Sequence, residues 1–182
     1  MSTAVMTQSI PVASQRSRGR SAGFLWWIAI LAGTYSMLVF DKLVVTGNPA
    51  ATAILISTQQ ALFRSGLAAG LTAIACYLAA TLLAYSILKP VNADLSLLAA
   101  LFSATGCATA VFSFVLRLAP LVVLAGWPYV FVLIGEQRHA LLQTLLTLQT
   151  QASNASITLF GLHCLMVGYL IFRAGQTRGA AQ

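Results

Sequence analysis

Apolar residues run almost unbroken through four stretches, Ser21–Phe40, Ser65–Leu88, Leu95–Leu116 and Ser153–Phe172, each closed by Arg, Lys or Asp. At about 1.5 Å of rise per helical residue, every one of them suffices to cross a hydrocarbon core of about 30 Å. The pattern predicts an all-α transmembrane helical bundle of four spans, at about 21–40, 65–88, 95–117 and 153–172, within a membrane domain covering 21–175.

The polar segments between the spans predict how they are joined. Residues 1–20 are rich in Ser, Thr, Gln and Ala and end in Arg16, Arg18 and Arg20, so a disordered basic tail is expected. Ser21–Phe40 is longer than a usual signal-peptide core and meets Asp41-Lys42 without a small-residue cleavage site, which predicts an uncleaved signal anchor. Thr46-Gly47-Asn48-Pro49 reads as a stop and restart. Asn48 can cap a helix and Pro49 can occupy its first turn, where a missing N–H is tolerated, so a short interfacial helix over about 50–62 should follow. Lys89-Pro90-Val91-Asn92 predicts a tight turn that sets spans two and three antiparallel. The segment Glu136–Gln151 repeats Leu141, Leu145 and Leu148 among Gln and Thr, an amphipathic helix that lies on the membrane or extends span four. A carboxy-terminal tail over 176–182 closes the chain, and the short connections leave no room for an appended soluble domain.

One segment admits two topologies. Arg117 interrupts an apolar run that continues through Pro120, Trp127 and Pro128 to Ile134, so 118–134 is either a fifth span or else a helical extension or a re-entrant or interfacial piece. With four spans, Arg16, Arg18, Arg20, Lys89, Arg173 and Arg178 face one side against Lys42, Arg64, Arg117 and Arg138 on the other. That imbalance satisfies the positive-inside rule with both termini cytoplasmic, in the inner (plasma) membrane of the cell.

Composition narrows the classes of function. With 59% hydrophobic and 7% charged residues there is too little polar surface for a soluble fold, and the +7 charge sits beside the apolar runs rather than on a stripe, so nucleic acid is not an expected partner. The expected partners are the lipid bilayer and either a second copy of the chain or another membrane protein. Cys76, Cys107 and Cys164 all lie in apolar stretches, are odd in number and lack CxxC spacing, against a disulfide framework or a structural zinc site. Asp41, Asp94 and Glu136 fall in different connections, so no paired-carboxylate site is expected, and His139 has only Glu136 within a helical turn. Asn154-Ala155-Ser156 matches a glycosylation sequon at the mouth of span four, where the match is expected to be fortuitous.

Three blocks carry a family resemblance: Leu62-Phe63-Arg64-Ser65-Gly66 before span two; Lys89-Pro90-Val91-Asn92 with Leu97-Leu98-Ala99-Ala100-Leu101-Phe102; and the run from Phe160 to Gly175 that contains Gly161-Leu162-His163-Cys164 and Gly168-Tyr169-Leu170-Ile171-Phe172-Arg173. Over roughly 23–175 the chain resembles the domain of unknown function 4386 family. The resemblance implies a bacterial multi-pass membrane protein of a family without an assigned activity. It also implies two further spans after the equivalent of Arg173-Ala174-Gly175, whereas this chain ends at Gln182, as a carboxy-terminally shortened member would. An acidic residue is implied where Gly70 stands, and a basic and a polar or acidic one where Ser103 and Gly106 stand.

His163 is the one ionisable residue expected near the bilayer midplane, either as a ligand to a cofactor or proton carrier, or as a neutral imidazole tied to a neighbouring helix. Cys76, Cys107 and Cys164 could join it as weak candidates for a soft metal site, but adjacent helical residues point about 100° apart, so His163 and Cys164 cannot easily face one ion. No resident cofactor or metal is expected. Gly66, Gly70, Gly161 and Gly168 are the expected helix-packing positions, Gly66-xxx-Gly70 with Ala69-xxx-Ala73 allowing close approach. Tyr35, Tyr77, Tyr85, Thr72, Thr81, Thr105 and Thr109 supply hydroxyls within the spans, which in membrane helices more often bond to the i−4 carbonyl or a neighbour. Arg64 and Arg117 are expected to snorkel to headgroups. The leading expectation is a non-enzymatic structural or modulatory membrane component; the alternatives are a small oligomeric transporter and a redox or metal protein centred on His163.

Overall fold

A computed structural model describes residues 12–45, 48–118 and 135–179. Five helices and no strand occur among them: α1 (Val12–Leu43), α2 (Pro49–Thr58), α3 (Gln60–Leu88), α4 (Ala93–Arg117) and α5 (Gly135–Gly179). Four, all but α2, are long and apolar enough to cross a membrane. The segment 119–134, on which the two topologies turn, lies outside the described residues.

The cap expected at Asn48 is formed, and Asn92 supplies a second. Asn48 Oδ1 accepts from the Ala51 amide at 3.0 Å with Pro49 in the first turn of α2, and Asn92 Oδ1 accepts from the Leu95 amide at 2.9 Å at the start of α4. Two boundaries differ from the sequence reading, and one of its alternatives for the segment before span four is realised. α1 starts at Val12, inside the expected disordered tail, because Gln, Arg, Ala and Ser add to an existing helix far more readily than they nucleate one. α2 stops at Thr58 rather than near Leu62, where the Ser57 and Thr58 hydroxyls turn back onto the Ile54 carbonyl at 2.8 and 2.9 Å and Gln59 leaves the helical region. The amphipathic segment is one helix with span four: α5, at 45 residues, is about 67 Å long, beyond the roughly 40–45 Å of a whole bilayer.

Cross-helix hydrogen bonds fix the register. Ser36 of α1 donates to the Gly66 carbonyl of α3 at 2.8 Å, Thr81 of α3 meets Ser103 of α4 at 2.7 Å, and Ser156 of α5 donates to the Gly106 carbonyl of α4 at 2.9 Å. With Gly33 facing Ala73 and Gly66 facing Val39, Ser96 donating to the Tyr85 carbonyl and Ser113 donating to the Gln149 carbonyl, each of the four long helices runs antiparallel to the next. Arg18, Arg20, Lys89 and Arg173 therefore lie toward one end of the bundle, and Lys42, Arg64 and Arg117 toward the other.

The helices are not packed evenly. α1 lies along α3 and α4 along α5, the two pairs join mainly between α3 and α4, and α1 scarcely approaches α5. Val39, Phe40, Leu43, Ile56 and Phe63 form one core at the Arg117 end, and Leu88, Ala99, Val167 and Leu170 form a second at the other. Glycines decide the tightest contacts. A Cβ on Gly66 would stand 2.8 Å from Val39, one on Gly70 would overlap the Phe114 ring, and one on Gly106 would stand 2.9 Å from Phe160. Gly161 and Gly168, expected as packing positions, meet nothing within 4 Å and sit on the outer face of α5, because that helix turns His163, Val167 and Leu170 inward instead.

Polarity is distributed as a lipid-facing bundle requires. Ser36, Thr81, Ser96, Ser103, Ser113, Ser156 and His163 are buried, while Leu165 and Phe172 are 72% and 65% exposed, as are many other large apolar side chains. In water this arrangement would be untenable; against acyl chains it is the favourable one.

Candidate functional site

Two arrangements hold the polar chemistry of the interior. The first is built on His163, 1% exposed and wedged between α3 and α4. Its Nδ1 lies 2.8 Å from the Ala99 carbonyl, which can only accept, so Nδ1 carries a proton and the ring ties α5 to α4. In the neutral imidazole Nε2 is then an acceptor, and it has no partner among the described residues. The Tyr77 ring meets the imidazole edge-on at 5.7 Å and 62°, and the Tyr77 hydroxyl lies 3.8 Å from Cys164 Sγ. A void of about 10 Å³ adjoins His163, bounded also by Thr81, Ser96 and Ala99. That is at the lower limit for one water molecule and far below the size of a haem or flavin.

The cysteines do not join it. Cys107 is buried, Cys76 half-buried and Cys164 exposed, and among the described residues no three His, Cys, Asp or Glu side chains come together as a metal would need. His163 faces inward and Cys164 outward, the divergence that the helical step requires.

The second arrangement was not legible in the sequence. Arg117, the last residue of α4, does not simply reach out to headgroups: its guanidinium lies over the Phe40 ring at 4.1 Å and near the Phe114 ring at 5.2 Å. With the Gln149 amide assigned so that its oxygen faces the cation, that oxygen accepts from Nε at 3.0 Å and Nη2 at 3.2 Å and lies 3.1 Å from the Ser113 hydroxyl oxygen. This bond engages two of the five guanidinium donors. Ser113 also reaches Ser153 Oγ at 3.3 Å, so α4 and α5 hold the cation jointly. A cavity of about 480 Å³ opens beside it, with Asp41, Arg117, Gln149 and Thr150 among its polar lining and Met37, Phe40, Leu146 and Ile157 among its apolar lining. Asp41 is close enough for its carboxylate to attract Arg117. A Phe three residues before an interior Arg is the one local signal available; Phe40 and Gln149 are remote in sequence.

The family model described as Domain of unknown function (DUF4386) matches residues 21–177, most of the chain. The chain belongs to that family. No curated protein matches it, and no solved structure does. Membership sets the three implied charge positions of the DUF4386 resemblance in context. Gly70, Ser103 and Gly106 are all buried, Gly70 beneath Phe114, Ser103 bonded to Thr81 and Gly106 against Phe160. Space that a longer side chain would need at 70 and 106 is filled here by phenylalanine rings, so this DUF4386 chain has a dry interior at those positions.

Proposed function

We propose that the protein is a non-enzymatic component of the inner (plasma) membrane, with both termini cytoplasmic, that packs against or modulates another membrane protein. One observation carries this reading: most of the buried polar side chains among the described residues are engaged in joining helix to helix. Ser36, Thr81, Ser103, Ser113, Ser156 and the Nδ1 of His163 each bond across a helix pair, and these bonds leave no row of polar groups along the bundle axis among the described residues for a substrate to follow. Conduction would ask for such groups to line a continuous path through the bundle, whereas the polar cleft beside Arg117 lies toward one end.

The outward apolar faces favour lateral contact within the bilayer. A photo-crosslinking residue placed at Leu165, 72% exposed, should yield one heterologous adduct of fixed size in intact membranes, with the protein itself monomeric in native-membrane nanodiscs. Self-adducts alone, together with an oligomeric species in the nanodiscs, would replace this reading with the oligomeric transporter.

Orientation has its own test. Ser2→Cys and Thr177→Cys should both resist an impermeant thiol reagent in intact cells and react after permeabilisation. Labelling of Thr177→Cys alone in intact cells would put the carboxy terminus outside and require another crossing.

A further inference from the structure

We propose that the cleft beside Arg117 is a binding site for a single membrane phospholipid whose headgroup pairs a phosphate with a primary ammonium. Charge is the first argument. Among the described residues that line it, the cavity holds one fixed cation, Arg117, secured by Phe40 and Gln149, and one carboxylate, Asp41, on the exposed end of α1. A guanidinium pairs with a phosphate through parallel N–H donors, and a carboxylate accepts from an ammonium. The two charges together complement a zwitterion better than an anion, since an anion would meet Asp41 without compensation.

Position is the second argument. The cavity lies on the side of the bundle where α1 and α5 scarcely approach, so it faces the acyl chains laterally through Met37 and Ile157, each 60% exposed. One turn further along both helices, at Gly33 of α1 and Phe160 of α5, the same seam carries a second, almost wholly apolar cavity of about 210 Å³ that reaches Ala29. From Asp41 to Ala29 the helix rises about 18 Å at about 1.5 Å per residue. Half of a hydrocarbon core of about 30 Å is about 15 Å, so a headgroup at Arg117 sets its tail along the seam over the depth of one leaflet. Free phosphate would satisfy Arg117 but leave the apolar seam without a purpose.

Native mass spectrometry of the full chain in a mild detergent tests this, with phosphatidylethanolamine, phosphatidylcholine, phosphatidylglycerol and inorganic phosphate each titrated in turn. One phosphatidylethanolamine should be retained about tenfold over phosphatidylglycerol, the scale of one charge-assisted hydrogen bond, with phosphatidylcholine between them for want of an N–H. Arg117→Gln should lower retention of all three phospholipids about tenfold. Asp41→Asn changes an exposed side chain and should leave the bundle folded while abolishing the preference for phosphatidylethanolamine over phosphatidylglycerol. Equal retention of all headgroups by the unaltered protein overturns the proposal, as does a lipid adduct indifferent to both substitutions. So does inorganic phosphate that displaces the lipid at equal concentration, which would assign the site to a free anion.

Discussion

Replacing Gly70 by leucine is expected to lower the melting temperature of the detergent-solubilised protein more than any other single change in α3. The first added carbon already overlaps the Phe114 ring and stands 2.8 Å from Ser36 Oγ, so relief must come from two directions. Neither is cheap. Ser36 is held by its bond to the Gly66 carbonyl, and Phe114 packs against Phe40 at 6.2 Å beneath Arg117. Overpacking a well-filled interior typically costs about 1–3 kcal/mol, and here the disturbance reaches the helix pair and the Arg117 cluster together. Trimming the obstacle should restore part of the loss: Gly70→Leu combined with Phe114→Ala should melt higher than the two separate effects summed. A Gly70→Leu protein that melts like the unaltered one would mean that α1, α3 and α4 do not meet as described.

His163→Ala is the second large effect. It removes the tie to the Ala99 carbonyl and opens a hole beside the existing void, where neighbouring side chains on three helices cannot all collapse inward. Cavity formation dominates the expected loss of about 2–4 kcal/mol, because hydrogen bonds between membrane helices add only about 0.6 kcal/mol on average. His163→Gln, which can still donate to that carbonyl, should recover part of it. Lowered melting with otherwise preserved behaviour identifies the imidazole as a structural tie. Loss of function with unchanged melting would instead restore it as a reacting group.

The sequence displayed the spans and their joints because those are local matters. Run length against bilayer thickness marks the crossings, and Asn48 announces a helix start through a bond to the residue three positions on, with Pro49 fitting the first turn. The inward face of each helix was harder to see. In α5 the Leu141, Leu145, Leu148 stripe marked the apolar side of an amphipathic helix, yet the buried residues lie elsewhere, at Leu142, Gln149, Ser156, His163, Val167 and Leu170, while Leu141 and Leu148 are exposed. Lipid removes the penalty for exposing leucine, so apolarity stops indicating the core, and small or polar residues take over that role. Glycine was an incomplete guide for the same reason: Gly66 and Gly70 are pressed against neighbours, whereas Gly161 and Gly168 face away, and only the partner helix decides which. Arg117 was hidden by its boundary position. A long cation at the end of a span ordinarily escapes to headgroups, and the aromatic ring and amide that retain it come from distant parts of the chain.

The assembly of two close pairs, joined along α3 and α4 and scarcely in contact between α1 and α5, makes the bundle's compliance directional. Within each pair, glycine contacts and interhelical bonds oppose any change of spacing, since a shift of a few tenths of an ångström already brings side chains into overlap. Across the seam, among the described residues, spreading the pairs breaks chiefly the contacts of Phe40 with Phe114 and Arg117 and admits acyl chains in their place. Lateral pressure in the surrounding bilayer therefore acts on this protein chiefly along one axis, like a book held at its spine, and whatever fills the seam sets how far it opens.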